Sequence, residues 1–442
     1  MITSARDGRR SAEAPIRLDG AAPRTLGLRD SAGLWANLGV SLLLPVAATF
    51  VVLANRSLWV TVLAIVVGAV IGSTLLGLGA AAGAREGVPA MVLLRGLLGH
   101  RVSYLPTVFN LVQCVGWATF EIVIIAEAAS RVLDVPRWPF VLAAGAAATL
   151  MALRPLGVVR VLARYAVWAA LAAVVYLLVQ VLTEPLAQTT EGGAASFWSA
   201  VDIVIALPVS WFPLAADYTR HVRGGRLAFF GAAAGYGIAT IALFVLGALA
   251  LAAYGAAGLD VVGALLAVPL GAVAVLLLVV VELDEAFANV YSTAVSAQNL
   301  SGRLDRRVLA VLVGVIATVL ALTFDIASYE PFLFLIGAVF VPLVGVFAVV
   351  YYLPRRGTWD VSDGARARPM LLLAWAAGFV AYQLTFPTQF FATGQGWTQW
   401  WVARQQDLGI DPANGWSASL VSLAVAGTLA ALVIAPRLVR RR

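Results

Sequence analysis

The sequence predicts an all-α integral membrane protein with twelve transmembrane helices, and three observations predict it. The first is composition: 442 residues, 61% hydrophobic, 12% charged, with a mean hydropathy of +0.91. An ordinary soluble domain has about a quarter of its residues charged. The second is segmentation, because apolar runs close to the roughly 20 residues needed to cross hydrocarbon recur along the chain. The third is the placement of positive charge. All 30 basic residues are Arg, and nearly all fall in the short gaps between apolar runs.

The twelve expected spans follow in order. Span 35–54 carries Pro45 near its middle, and span 59–83 holds no charged residue and ends beside Arg85. Span 104–132 has one polar face. Spans 138–155 and 161–182 are separated by Arg154 and Arg160, with Arg164 at the entry to the second. Span 198–217 contains Pro208 and Pro213, and span 228–254 is unbroken. Span 273–297 holds three carboxylates, 306–324 opens on Arg306 and Arg307, and 330–353 closes a ten-helix core. Spans 370–388 and 416–436 follow a charged, Gly-containing linker. The expected organisation is a cytoplasmic tail over 1–33, a transport core over 34–354, and over 355–442 a linker, two further helices and a cytoplasmic tail.

With the N-terminus in the cytoplasm, strict alternation leaves 26 Arg inside and four outside, namely Arg56, Arg131, Arg137 and Arg404. Such an inside excess fixes orientation in membrane proteins and argues against a nucleic-acid partner for the +7 net charge. A cell inner membrane with both termini cytoplasmic is the expected location. Residues 1–33 are polar and Arg-rich with no apolar core, so no removable signal peptide is expected. Cys114 is the one cysteine, and the two histidines, His100 and His221, stand apart at loop positions. No phosphate-binding loop and no metal-ligand constellation is present in the sequence, so an enzyme is not expected and transport energy falls to an ion gradient. Trp397, Trp400 and Trp401, in the longest outer loop, fit an interfacial aromatic belt.

The most informative stretch lies inside span 273–297. Glu282, Asp284 and Glu285 are followed by Asn289, Ser292, Thr293 and Ser296. An ionised carboxylate at mid-bilayer costs roughly 2.5–3.5 kcal/mol on insertion scales, so three within four residues do not face lipid. Glu282, Glu285, Asn289 and Ser296 share one helical face, which is expected to line a polar pathway. Prolines in the first and sixth spans raise a second expectation. Two five-helix halves would enter the membrane from opposite sides, each beginning with a broken helix, with a site at the midplane.

Four stretches then resemble the nucleobase:cation symporter-1 family, which includes cytosine permeases and hydroxymethylpyrimidine and hydantoin transporters. They are Gly83–Gly99 (with Arg95 near its end), Gln113-Cys-Val-Gly-Trp117, Ala216-Asp-Tyr-Thr-Arg220 and Asp284-Glu-Ala-Phe-Ala-Asn289-Val-Tyr-Ser-Thr293. They lie in family order and spacing over roughly 30–355. Leu98, where the loop commonly has Phe, is a mild departure. The resemblance implies a five-plus-five inverted repeat of the LeuT type plus two peripheral helices, with substrate between helices one, three, six and eight.

It also implies roles for residues. Trp117 resembles the family's stacking Trp, and a buried planar heterocycle needs such a plate with polar groups at its edges. Gln113 shares its helical face. Glu121, where family members can carry an amide, is expected either to pair with an exocyclic amine and ring N–H or to carry a proton. Pro208, Ser210 and Trp211 sit at the expected break of helix six, and Asn289 aligns with a substrate-binding Asn. Leu42 and Pro45 lie where helix-one carbonyls would meet a cation. Asp284 aligns near a hydroxyl ligand of sodium-coupled members, with Glu282 and Glu285 beside it, so a sodium ion near Asp284 or a proton is expected as the coupling ion. No cofactor is expected. Asp217 and Arg220 are expected to form a structural or gating ion pair. The sequence thus predicts a monomeric secondary transporter importing a pyrimidine-type nucleobase, cytosine-like, through the lipid bilayer. A hydroxymethylpyrimidine transporter and an amino-acid or amine transporter of the same fold are the alternatives.

Overall fold

The computed structural model describes residues 23–154, 167–187, 190–255, 259–354, 358–389, 395–411 and 415–439. Among them the architecture is all-helical, with isolated bridges at Leu26–Val222 and Leu53–Ala194. The first expected span is two helices, α1 (Leu28–Asn37) and α2 (Leu43–Val51). Then come α3 (Leu58–Glu86), the short α4 (Ala90–Leu93) and α5 (Arg95–Leu98), α6 (Tyr104–Leu133), α7 (Arg137–Leu153) and α8 (Val167–Thr183). The second half mirrors this with a divided helix, α9 (Phe197–Ser210) and α10 (Phe212–Thr219), then α11 (Gly225–Tyr254). The short α12 (Val261–Ala267) precedes α13 (Gly271–Ala297), α14 (Arg306–Thr323) and α15 (Tyr329–Tyr352). Last are α16 (Pro369–Thr385), α17 (Gln395–Asp407) and α18 (Ala418–Val439). Seven described helices are long and apolar enough to cross a membrane, with three shorter apolar ones beside them. The α13 helix carries its three carboxylates mid-helix, and the first span is divided.

Both divisions have a chemical cause. Pro213 has no N–H to offer the carbonyl one turn back, and Pro208 lies within the last turn of α9. Together they set Trp211 between two half-helices. Pro45 instead sits in the first turn of α2, where a missing N–H breaks no helical bond, so the gap at 38–42 opens before it.

Packing separates the helices into two groups with the site between them. In one, α3 lies against α9, α10 and α11, while α1 and α2 lie against α11. In the other, α6 packs on α13, with α7 and α14 completing the layer. Close approach within the first group depends on small residues. A Cβ added to Gly83 would come within 2.5 Å of the Ala216 Cβ, so only glycine lets α3 and α10 meet there. Of an 18-residue apolar stretch in each, 94% is buried in Phe197–Thr219 and 33% in Arg306–Thr323, which places the former at the centre of the molecule and the latter at its periphery.

Two regions differ from expectation. The connection between α16 and α18 contains α17, whose Trp401 is buried while Trp400 is exposed. The charged linker is a fitted strap across the helix two–three connection. Trp359 Nε1 donates to the Leu93 carbonyl at 2.8 Å, His100 N to Ala365 O at 3.1 Å, and Arg368 N to Leu98 O at 2.9 Å. Arg95 joins the strap to the end of α13, donating to Asp363 at 2.6 Å and to Asn299 at 2.7 Å.

The C-terminal helices are tied to the core by one buried carboxylate. Asp202 on α9 accepts from the Ser417 hydroxyl and from Ala418 N and Ser419 N at 2.7 and 3.2 Å, capping the start of α18. Asp202→Ala removes that cap. Losing a helix cap costs on the order of 0.5–2 kcal/mol. The expected result is a lower unfolding temperature in detergent with ligand affinity unchanged; an unchanged unfolding temperature would show that the tie contributes nothing.

Candidate substrate and coupling site

A tight cavity, in this conformation with room for about one water molecule, lies between the two groups of helices. Its walls come from the break in helix one (Ser41) and the start of α2 (Leu43, Leu44), from Trp117 on α6, and from Ser210 and Trp211 at the break in helix six. Tyr236 on α11 and Glu285 and Asn289 on α13 complete the polar side. Trp117 and Trp211 are 5% and 4% exposed. Trp117 is held edge-on by Phe332 and Tyr329, with ring centroids 5.3 and 5.9 Å away. The neighbouring Gly116 makes room for this, since a Cβ there would lie 2.5 Å from the Phe332 ring. Trp211 rests edge-on against Trp35 at 6.0 Å.

Gln113 lies one turn from Trp117 and fixes helix three to helix six. Its amide donates to Asn110 at 2.8 Å and to the Ser210 carbonyl at 3.0 Å. Ser210 turns its own hydroxyl onto Leu207 O at 2.6 Å. Pro208 is outside the cavity wall and faces Gly72 of α3. Asn289 donates to the carbonyl of Glu285 at 3.1 Å.

The carboxylates divide between the hinge and the cavity. Glu282 spans the break in helix one, accepting from the Ser41 hydroxyl at 2.7 Å and from Leu42 N at 2.6 Å. Leu42 caps α2, so this carboxylate also meets the positive end of a helix dipole. Asp284 accepts from the Asn37 amide at the end of α1. Pro45 packs toward Gly247 of α11. Glu121 is fully buried behind the cavity wall, near Glu282 and Glu285, and neither of its carboxyl oxygens has a hydrogen-bond partner. None of the ion pairs among the described residues involves Glu121, Glu282 or Glu285. Three carboxyls this close cannot all stay ionised unless a cation or a ligand N–H lies among them. Among the described residues, no group of three or more His, Cys, Asp or Glu is arranged to hold a metal ion.

Asp217 is not in a close ion pair with Arg220; it accepts from Ala90 N at 2.9 Å and so anchors the helix two–three connection to α10. Residues that sequence reasoning passed over are Asn37, Ser41, Trp35, Tyr236, Tyr329 and Phe332. A serine beside the broken segment, just ahead of Leu-Leu-Leu-Pro45, was the one local signal available. The aromatic residues carry no motif or spacing in the sequence that sets them apart.

Comparison with known proteins agrees with this geometry. The family model for permeases for cytosine/purines, uracil, thiamine and allantoin matches residues 20–370. The chain belongs to the nucleobase:cation symporter-1 family. It is therefore a multi-pass membrane permease, a cation-coupled nucleobase-type transporter. Solved structures show the fold of this symporter-1 member. The inward-facing conformation of Mhp1 matches at 17% identity over 97% of this chain and 93% of that one, with a TM-score of 0.71. Mhp1 in a closed conformation with bromovinylhydantoin bound, described as a nucleobase-cation-symport-1 transporter, matches at 17% over 96% of each chain, with a TM-score of 0.70. A substrate-bound, outward-open Na⁺-coupled sialic acid symporter matches at 11% over 96% and 93%, with a TM-score of 0.59. Comparison with curated proteins finds no match.

Proposed function

We propose that this transporter imports a pyrimidine-type nucleobase, cytosine-like, by symport with sodium or a proton, as a monomer in the cell inner membrane with cytoplasmic termini. The observation that carries the reading is the cavity itself, where Trp117 and Trp211 contribute flat apolar surface and Glu285, Asn289 and Ser41 form a polar edge. A planar, nitrogen-rich ring matches both. The hydantoin held by Mhp1 and the compounds named for the family are rings of this kind. Glu282 at the hinge, with Glu121 and Asp284 near it, supplies the negative charge that a coupling cation would meet.

Hydroxymethylpyrimidine is the second reading, since it offers the same aminated ring edge. A substrate carboxylate, as in an amino acid, would face Glu285 with no cationic side chain among the cavity's wall residues to receive it. Thermal-shift measurements on the purified protein with nucleobases, hydroxymethylpyrimidine and amino acids test the proposal. A ligand at 100 times its Kd stabilises the folded state by about 2.7 kcal/mol. Cytosine or hydroxymethylpyrimidine is expected to raise the unfolding temperature and amino acids to leave it unchanged. The opposite pattern would overturn the proposal.

A further inference from the structure

We propose that Glu285, rather than Glu121, is the carboxyl that reads the substrate, selecting rings that present an amine to it. This rests on the pyrimidine reading above and names the residue that sets its specificity. Four carboxyls crowd this part of α6 and α13, and their partners sort them. Both oxygens of Glu282 are occupied, by Ser41 and by Leu42 N. Asp284 faces Asn37. Both Glu121 oxygens are also buried without a hydrogen-bond partner, but Glu121 lies behind the wall and does not line the cavity. Glu285 alone of the four lines the cavity, and its Oε1 is buried with no hydrogen-bond partner.

Independent groups around the same cavity also await a ligand. The Tyr236 hydroxyl and the Trp117 Nε1 are both buried and unpartnered, and both residues line the wall. A buried polar group without a partner is costly, and native structures satisfy nearly all of them. A ligand satisfies Glu285 and Tyr236 when it donates an N–H to the carboxylate and presents a ring nitrogen or carbonyl to the hydroxyl. Asn289, one turn beyond Glu285 on the same face of α13, holds the ring edge in register. Cytosine has an amine beside a ring nitrogen, whereas uracil places a carbonyl oxygen where the amine would be. Facing that oxygen, Glu285 would keep an unpaired acceptor.

The test is competition binding of cytosine and uracil to the purified transporter, wild type against E285Q, E121Q and E285D. The wild type is expected to prefer cytosine by at least about tenfold, a difference of about 1.4 kcal/mol. E285Q should reduce the preference to below about threefold, because an amide can donate to the uracil carbonyl. Retained uracil binding in E285Q shows that the cavity is intact. E285D keeps a carboxylate and should keep the preference. E121Q should keep it too, because residue 121 lies behind the cavity wall and does not meet the ring. Loss of the preference in E121Q together with its survival in E285Q would overturn the proposal in favour of Glu121. Equal binding of uracil and cytosine to the wild type would also overturn it. If rings bind but no preference depends on Glu285, only this inference falls; if no ring binds the wild type, the pyrimidine reading falls and takes the inference with it.

Discussion

Trp117→Ala will abolish uptake while leaving the transporter folded and inserted. The Trp117 ring forms one face of the cavity, and its edge-on contacts with Phe332 and Tyr329 fix its plane. Stacking of a base on an aromatic side chain is worth about 1–3 kcal/mol, so alanine should weaken binding by roughly fivefold to more than a hundredfold. The loss of uptake should exceed the loss of affinity, because a ring without its plate is not held against the polar edge. Binding to the purified variant, beside its size-exclusion profile and unfolding temperature, checks this. Wild-type affinity in a folded Trp117→Ala protein would move the substrate elsewhere.

Glu282→Ala should have the second largest effect, for a different reason. Its carboxylate is the hydrogen-bond acceptor at the break in helix one for both Ser41 and Leu42 N. Removing one partner of a buried hydrogen bond leaves the other to bear a desolvation cost of about 1–3 kcal/mol. Here two donors lose their acceptor at the point where the helix is divided. Uptake should fall at least about tenfold and should no longer respond to the imposed ion gradient, with a lower unfolding temperature. Gradient-driven uptake at the wild-type level in this variant would show that the hinge carboxylate has no part in coupling.

Much of this was legible in the sequence, and what was not has physical causes. Hydropathy and arginine placement locate the long helices because membrane spanning is a constraint on composition, read residue by residue. Pro45, Pro208 and Pro213 mark the divided helices for the same reason: the chemistry of proline is local. The strap over 358–368 was hidden, since its order comes from backbone groups of the helix two–three connection more than 250 residues earlier. The α17 helix was hidden too, because a mixture of polar residues and tryptophan has no helical stripe to read. At the site, helical spacing put Glu282, Glu285 and Asn289 on one face but could not say which would meet the hinge and which the cavity. That assignment depends on where the break in helix one docks. Sequence reasoning set Asp284 at the helix one–helix eight junction. In the structure Asp284 meets Asn37 on the first half-helix, while Glu282 receives the N–H of the second. Trp35 and Tyr236 shape the cavity from positions that no sequence pattern distinguishes.

The central claim is that an ion gradient drives a planar heterocycle through the cavity between helices one, three, six and eight. Uptake of labelled cytosine into proteoliposomes tests it most directly, under an inward sodium gradient, an inward proton gradient, both, or neither. The account predicts accumulation above the external concentration with one of the two gradients. A single positive charge moving inward adds about 2.3 kcal/mol per 100 mV, roughly a 50-fold accumulation. Equal uptake with and without gradients, stopping at the external concentration, would contradict it.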